Sequence, residues 1–276
     1  MIILPLQGVG GFSYLCAMLK NTLLRATEAA ADILRHYFNG EFTVTNKEGL
    51  NNPVTEADLA AEKVIMDIIH QSFPDHFILS EEAGEIKMDS EYKWIIDPID
   101  GTINFAHGIP ICCVSIGLEK AGQMIMGAVY NPFLNEFFFA QEGFGATLND
   151  KKIQVSRQPE LNKANLVTGF PYTYLNTPNG PLDVFSTLIR KGVPVRRLGS
   201  AAIDLCWVAA GRFDGFYEHK LQAWDSAAGF LIVKEAGGKI TDFKGDPYSP
   251  YQPHIIASNG LIHDALLKCV NGEAYD

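Results

Sequence analysis

The sequence has no run of about 20 uninterrupted apolar residues, which excludes a membrane-spanning helix. Cysteine is sparse: Cys16, Cys112, Cys113, Cys206 and Cys269 are odd in number and scattered, without the paired spacing of a zinc site or a disulfide framework. They read as reduced thiols of a cytoplasmic protein. Positive charge is also short, with 22 Lys plus Arg against 32 Asp plus Glu and a net charge of -10. That balance disfavours direct contact with nucleic acid phosphates and makes cations the expected guests. Basic residues are missing ahead of the apolar start "MIILPLQGVGGFSYLCAM", where the first positive charge is Lys20, so it does not read as a secretory signal. Residues 1–17 are an N-terminal extension without an assigned role, and Met18 would serve equally well as a start.

What is present is a folded body. The 276 residues, 47% of them hydrophobic, suffice for one large domain or two closely packed ones. Apolar residues recur at three- and four-residue intervals from Leu19 to Phe38, predicting an amphipathic helix that Gly40 stops. A second helix opens at Thr55, three residues before Asp58 in a capping-box spacing, and closes at Pro74. "HFILSEEAG" and "KWIID" read as strands, and Val114 to Ala140 as an antiparallel meander of three strands split by turn signals. Beyond Val155, strands in "NLVTGF", "VPVRRLG", "FDGFYE", "GKITDF" and "HIIASN" alternate with helices around Ile203 to Ala210 and Ser226 to Ala236, the pattern of an α/β layer. Trp94, Trp207, Trp224 and the run Phe137 to Phe139 read as core.

The chemistry concentrates in "KWIIDPIDGTINF", Lys93 to Phe105. Pro98 cannot donate to a sheet ladder and is expected to end the strand, while Gly101 permits a tight turn. Asp97 and Asp100 thus stand at a strand end, as do Glu81 and Glu82 of "SEEAG", and Asp225 of "AWDSAAGF" stands where a helix N-cap belongs. Each alone is an ordinary solvated turn, strand end or cap. If they converge, two unit charges about 4 Å apart repel by roughly 4 kcal/mol at an effective dielectric of 20. Such a cluster either takes up protons or holds a hard cation, and an all-oxygen set suits Mg²⁺ better than zinc.

"DPIDGTINF" together with "WDSAAGFLIVKEAGG" resembles the two signature motifs of the inositol monophosphatase family, and the likeness extends over Lys47, "NPVTEAD", "SEE" and "GSAAIDLCWVAAGRFDGFYE". The resemblance implies a layered αβαβα sandwich, an α/β (α+β) fold of the inositol monophosphatase and fructose-1,6-bisphosphatase type. Its parts would be an N-terminal α+β subdomain over 18–155 carrying the metal loop and a C-terminal α/β subdomain over 156–276, packed as one catalytic unit. It further implies a lithium-sensitive, homodimeric phosphomonoesterase with two or three Mg²⁺ per site. Glu81, Asp97, the carbonyl of Ile99, Asp100 and Asp225 would be metal ligands, with Glu81 also a base, and Asp58 and Thr102 would serve the attacking water. Gly101, Thr102, Ala201, Glu218 and Asp225 would bind substrate, with Asp204 able to line the same pocket and Lys47 a loop cation near the metal or simply surface. His107 and Cys113, close to the metal loop, are expected to pack as neutral groups.

The substrate expected on this basis is a phosphorylated small polyol, foremost myo-inositol 1-phosphate, cleaved by metal-activated water without a phosphoenzyme. Fructose 1,6-bisphosphate, 3'-phosphoadenosine 5'-phosphate and histidinol phosphate are the family alternatives. A haloacid-dehalogenase-type phosphatase also ends its signature in Asp-Gly-Thr, but its spacing is D-x-D, whereas Asp97 and Asp100 are three apart with Pro98 between. A regulatory role with the transcription machinery, as in some bacterial relatives, is the reading from another class.

Overall fold

The computed structural model describes residues 9–38, 40, 42–46, 53–171 and 180–274. Helix α1 (Val9–Tyr37) leads through a small ribbon, β1 (Val44–Asn46) and β2 (Pro53–Thr55), into α2 (Glu56–Ser72). Then come β3 (Phe77–Ser80), β4 (Gly84–Ile86), β5 (Tyr92–Asp100), the short α3 (Thr102–Ala106), β6 (Cys113–Lys120), β7 (Gln123–Asn131), β8 (Glu136–Gln141), β9 (Gly145–Leu148) and β10 (Lys151–Lys152). These strands from β3 to β10 form an eight-stranded sheet in the order β10-β9-β8-β7-β6-β5-β3-β4. Among the described residues only the β3 to β5 pairing in it is parallel.

The second half contributes β11 (Leu166–Thr168), α4 (Pro181–Arg190), β12 (Val195–Arg196), α5 (Ala201–Ala209), β13 (Gly215–His219), α6 (Ala223–Glu235), β14 (Lys239–Thr241), β15 (His254–Ser258) and α7 (His263–Val270). Its sheet runs β12-β11-β13-β15-β14, parallel around β11 and antiparallel at β15.

Alternation along the strands explains the layers. In β5, Trp94 and Ile96 pack with Leu23 of α1 and Ile65 of α2, whereas Ile95 faces the cluster of Leu205 and Leu231 from α5 and α6. A strand buried on both faces reads as a near-continuous apolar run, and "WII" is one. In the second sheet Val167 and Phe216 join that same central cluster, and Leu166 and Tyr217 turn outward to Leu188 of α4 and Leu266 of α7. The order is therefore helices, sheet, helices, sheet, helices: the αβαβα sandwich expected from the resemblance.

Three local expectations change. Helix α1 begins at Val9 and not near Leu19, because Leu15 and Met18 continue the stripe that packs on the first core. Pro98 does not end β5, which runs to Asp100 with a register shift between Asp97 and Asp100 against β6. The proline sits in that irregularity, where a missing N–H costs no ladder bond. Helices α4 and α7 and the hairpin of β9 and β10 have no counterpart in the expected elements. Among the described residues no helix is long and apolar enough to cross a membrane.

Candidate active site

The end of β5 is shaped by its exit. Gly101 has φ 96°, and a Cβ there would lie 2.9 Å from the carbonyl oxygen of Ile111, so only glycine lets the chain turn from β5 into α3. The turn leaves Asp97, Ile99, Asp100, Gly101 and Thr102 along one wall of a cavity of about 1150 Å³, which Glu81 also lines. Asp225 and Trp224 enter from the start of α6, Ala201 and Asp204 from α5, and Glu218 from β13. Trp224 thus borders the cavity and is only partly buried, against the expectation of a core tryptophan. Lys47 lies outside the described residues.

The acids are held by separate donors. Asp58 accepts the backbone N–H and the hydroxyl of Thr55 on Oδ2, at 2.7 and 2.6 Å, closing the capping box at the start of α2. The Thr102 hydroxyl lies 3.3 Å from Asp58 Oδ1 and 3.0 Å from the carbonyl oxygen of Ile99, and its single proton serves one of them at a time. Asp100 Oδ2 accepts from the Ser200 hydroxyl at 2.7 Å and the Ala202 N–H at 2.6 Å. Asp225 is not the N-cap: Gln222 holds that position, and Asp225 Oδ2 accepts its N–H at 2.7 Å from three residues further on.

Asp97 differs from these. It is 1% exposed, and its Oδ1 is buried without a hydrogen-bond partner among the described residues. Burial first, then the charges of Glu81, Asp100, Asp225 and Asp58, push its carboxyl well above the usual range. Burial raises Asp100 to about 6, with Ser200 and Ala202 opposing and Glu81 adding to the shift. Asp204 and Glu218 are also raised, chiefly by burial and next by neighbouring acids, Glu218 and Asp100 for Asp204 and Asp225 and Asp100 for Glu218, with Arg197 opposing in both. Among the described residues no three His, Cys, Asp or Glu side chains stand in the closed geometry of a formed metal site. The donor set nevertheless suits a hard dication: every oxygen is a carboxylate or carbonyl, one buried carboxylate oxygen lacks any donor, and the acids raise one another's proton affinity.

The flanking groups are quieter. His107 is exposed and its Nδ1 lies 2.9 Å from the Ile103 carbonyl, so it finishes α3 and does not line the cavity. Cys113 lies beside Asp100 and Ser200, its thiol held neutral by burial and then by the Asp100 charge.

The inositol monophosphatase family model matches residues 18–274. The chain belongs to the inositol monophosphatase family. It is thereby placed among phosphatases. An inositol-1-monophosphatase from Synechocystis is 48% identical over 218 residues, covering 79% of this chain and 76% of that protein. The protein called Nus factor SuhB from Pasteurella multocida is 40% identical over 250 residues, covering 90% and 94%. Among solved structures, the extragenic suppressor protein suhB from Bartonella henselae superposes with a TM-score of 0.85 at 38% identity, covering 91% of this chain and 98% of that one.

Sequence reasoning missed several cavity and support residues of this family member. Phe170 and Arg197 line the cavity, the guanidinium 5.5 Å from the ring centroid, yet neither stands in a motif. Ser200 caps α5 and donates to Asp100, a hundred positions away, a contact with no local signal in the sequence. Gly169 is a further case: a Cβ there would meet the Glu218 carboxylate at 2.2 to 2.4 Å, so the glycine makes room for that acid.

Proposed function

We propose that this chain is a Mg²⁺-dependent phosphomonoesterase for a phosphorylated small polyol, foremost myo-inositol 1-phosphate. The observation that carries the reading is one cavity that gathers Glu81, Asp97, Ile99, Asp100 and Asp225 together with two further acids, Asp204 and Glu218. The name of the 48% identical Synechocystis relative supports the inositol substrate.

In this reading Glu81, Asp97, the Ile99 carbonyl, Asp100 and Asp225 would hold two or three Mg²⁺. When bound, the ions supply charge neutralisation of the phosphate and activation of water. The chain does the rest. Glu81 takes the proton of the attacking water, and Thr102, whose own proton is engaged by Asp58 or by Ile99, is left as an acceptor for the second hydrogen. The N–H groups of Gly101 and Thr102 would hold the phosphate oxygens. Glu218 accepts from polyol hydroxyls, and Ala201 and Asp225 complete the pocket around them. Homodimer formation, inhibition by lithium and a cytoplasmic location belong to the same proposal.

A panel of phosphate esters assayed with Mg²⁺ and ranked by kcat/KM tests it, with inositol 1-phosphate expected first. If 3'-phosphoadenosine 5'-phosphate, fructose 1,6-bisphosphate or histidinol phosphate led the panel, the substrate assignment would fall. The Pasteurella relative's name, Nus factor, favours a second, regulatory reading. An Asp97→Asn chain that hydrolyses nothing yet fully replaces the parent in cells would make that role primary.

A further inference from the structure

Glu81 and Thr102, the two groups that flank the attacking water in the proposed reaction, come from different strand ends, and something must fix their separation. Helix α2 carries two buried carboxylates four residues apart, Asp58 and Glu62, at 0% and 4% exposure. Residues so spaced share one helix face. Asp58 meets the Thr102 hydroxyl. Glu62 reaches the other strand end: its Oε1 accepts from the Glu82 N–H at 3.1 Å, from the Ala83 N–H at 3.0 Å and from the Ser80 hydroxyl. These donors sit on both sides of Glu81, whose own N–H is tied to the Ile96 carbonyl of β5 at 3.1 Å.

We infer that Glu62 is a positioning residue that clamps the 80–83 turn to α2 and so sets Glu81 against Thr102 and the Asp97 to Asp100 segment. The inference rests on the proposed phosphatase reading and deepens it at the same site. Glu62 does not line the cavity, so it acts through Glu81 and not on substrate. Its other neighbours on the buried face of α2 are Ala61, Ile65 and Ile69. An apolar side chain would serve the packing at lower desolvation cost, and a buried carboxylate is favourable only when its donors are all present. Hydrogen bonds to a carboxylate are stronger than neutral ones, so three donors on one oxygen fasten this short turn firmly.

The test compares Glu62→Leu and Glu62→Gln with the parent and with Glu235→Leu. Glu235 is a matched control, since its two oxygens accept the N–H groups of Gly143 and Gly145 at 3.0 and 2.8 Å and fasten a hairpin turn away from the cavity. Mn²⁺ affinity by calorimetry, amide exchange at Glu82 and Ala83 by NMR, and steady-state kinetics are the readouts. Glu62→Leu is expected to weaken Mn²⁺ binding by about 10- to 100-fold, the usual cost of losing a group that orients a ligand. It should lower kcat more than it raises KM and speed exchange at the two amides. Glu62→Gln, which keeps an acceptor without the charge, should fall between, and Glu235→Leu should lose stability while holding the parent's Mn²⁺ affinity.

A folded Glu62→Leu chain with parental Mn²⁺ affinity and exchange overturns the inference. If that variant does not fold, Glu62→Gln decides: parental values in both readouts overturn it, weakened binding with faster exchange supports it. Should the parent hydrolyse no phosphate ester, the phosphatase reading fails, while the Mn²⁺ and exchange arms still decide whether Glu62 clamps the turn.

Discussion

Asp97 concentrates the demands on the site in one residue. Its raised carboxyl means that the native state holds the proton more tightly than the unfolded chain does. Such a group favours folding below the ordinary carboxylate range and loses that contribution as pH rises through its native pKa. For Asp100, raised in the same direction, the loss runs from 3.8 to about 6. In EDTA at pH 7, Asp97→Asn should therefore melt higher than the parent by about 2–4 °C, equivalent to roughly 1 kcal/mol for a chain of this size. The gap should close as pH falls toward 4, and Mg²⁺-dependent turnover should vanish in the variant at every pH. Equal melting of the two proteins in EDTA across that range would show that the acids do not burden the fold. Gly169 offers a second residue-scale prediction, because an added methyl must displace the Glu218 carboxylate. Gly169→Ala is expected to lower kcat/KM for the polyol phosphate about tenfold, a loss on the scale of one hydrogen bond to a charged group, while p-nitrophenyl phosphate turnover holds. Equal losses on both substrates would remove Glu218 from substrate recognition.

Helix α6 connects these residues to the fold. Its small face, Ala227 and Ala228, lies so close to the first sheet that a Cβ on Gly127 of β7 would come within 2.8 Å of the Ala228 carbonyl oxygen and 3.0 Å of its Cα. Backbone cannot yield as a side chain can, so Gly127→Ala should cost about 1–3 kcal/mol through overpacking. Thermal melting checks this, and an unshifted Tm would mean that α6 slides freely on the sheet. The element scale also shows what was legible in the sequence. Period and punctuation exposed α2, the meander and α6, and the motifs around Asp97, Asp100 and Asp225 marked the acids, because those signals are local. What stayed hidden was contact between distant segments: Ser200 on Asp100, Glu62 on the 80–83 turn, and Arg197 over Phe170. The misplaced cap at Asp225 has a related cause: in a capping box the acid at the third helical position reaches back to the cap residue's own N–H, so an acid marks a helix start from either place.

Across the whole molecule, the site takes groups from both sheets and from the helices between them. Glu81, Asp97 and Asp100 belong to the first sheet's strand ends, Asp225 to the central helix layer and Glu218 to the second sheet. A ligand held by such a set can stabilise one half only by stabilising the other. The halves are joined away from the cavity as well: the Tyr251 hydroxyl donates to the buried Glu119 carboxylate of β6 at 2.7 Å and accepts from Lys93 Nζ of β5 at 2.9 Å. Two subdomains meeting near residue 156 would thus melt as one unit, with calorimetric and van't Hoff enthalpies equal, and saturating Mg²⁺ would raise that single Tm. Tyr251→Phe leaves Glu119 short of a donor at a buried position and should cost about 1–3 kcal/mol, again as one transition shifted downward. Separation into two transitions, only one of them responsive to Mg²⁺, would place all the ion-holding groups in one half and contradict the shared cavity.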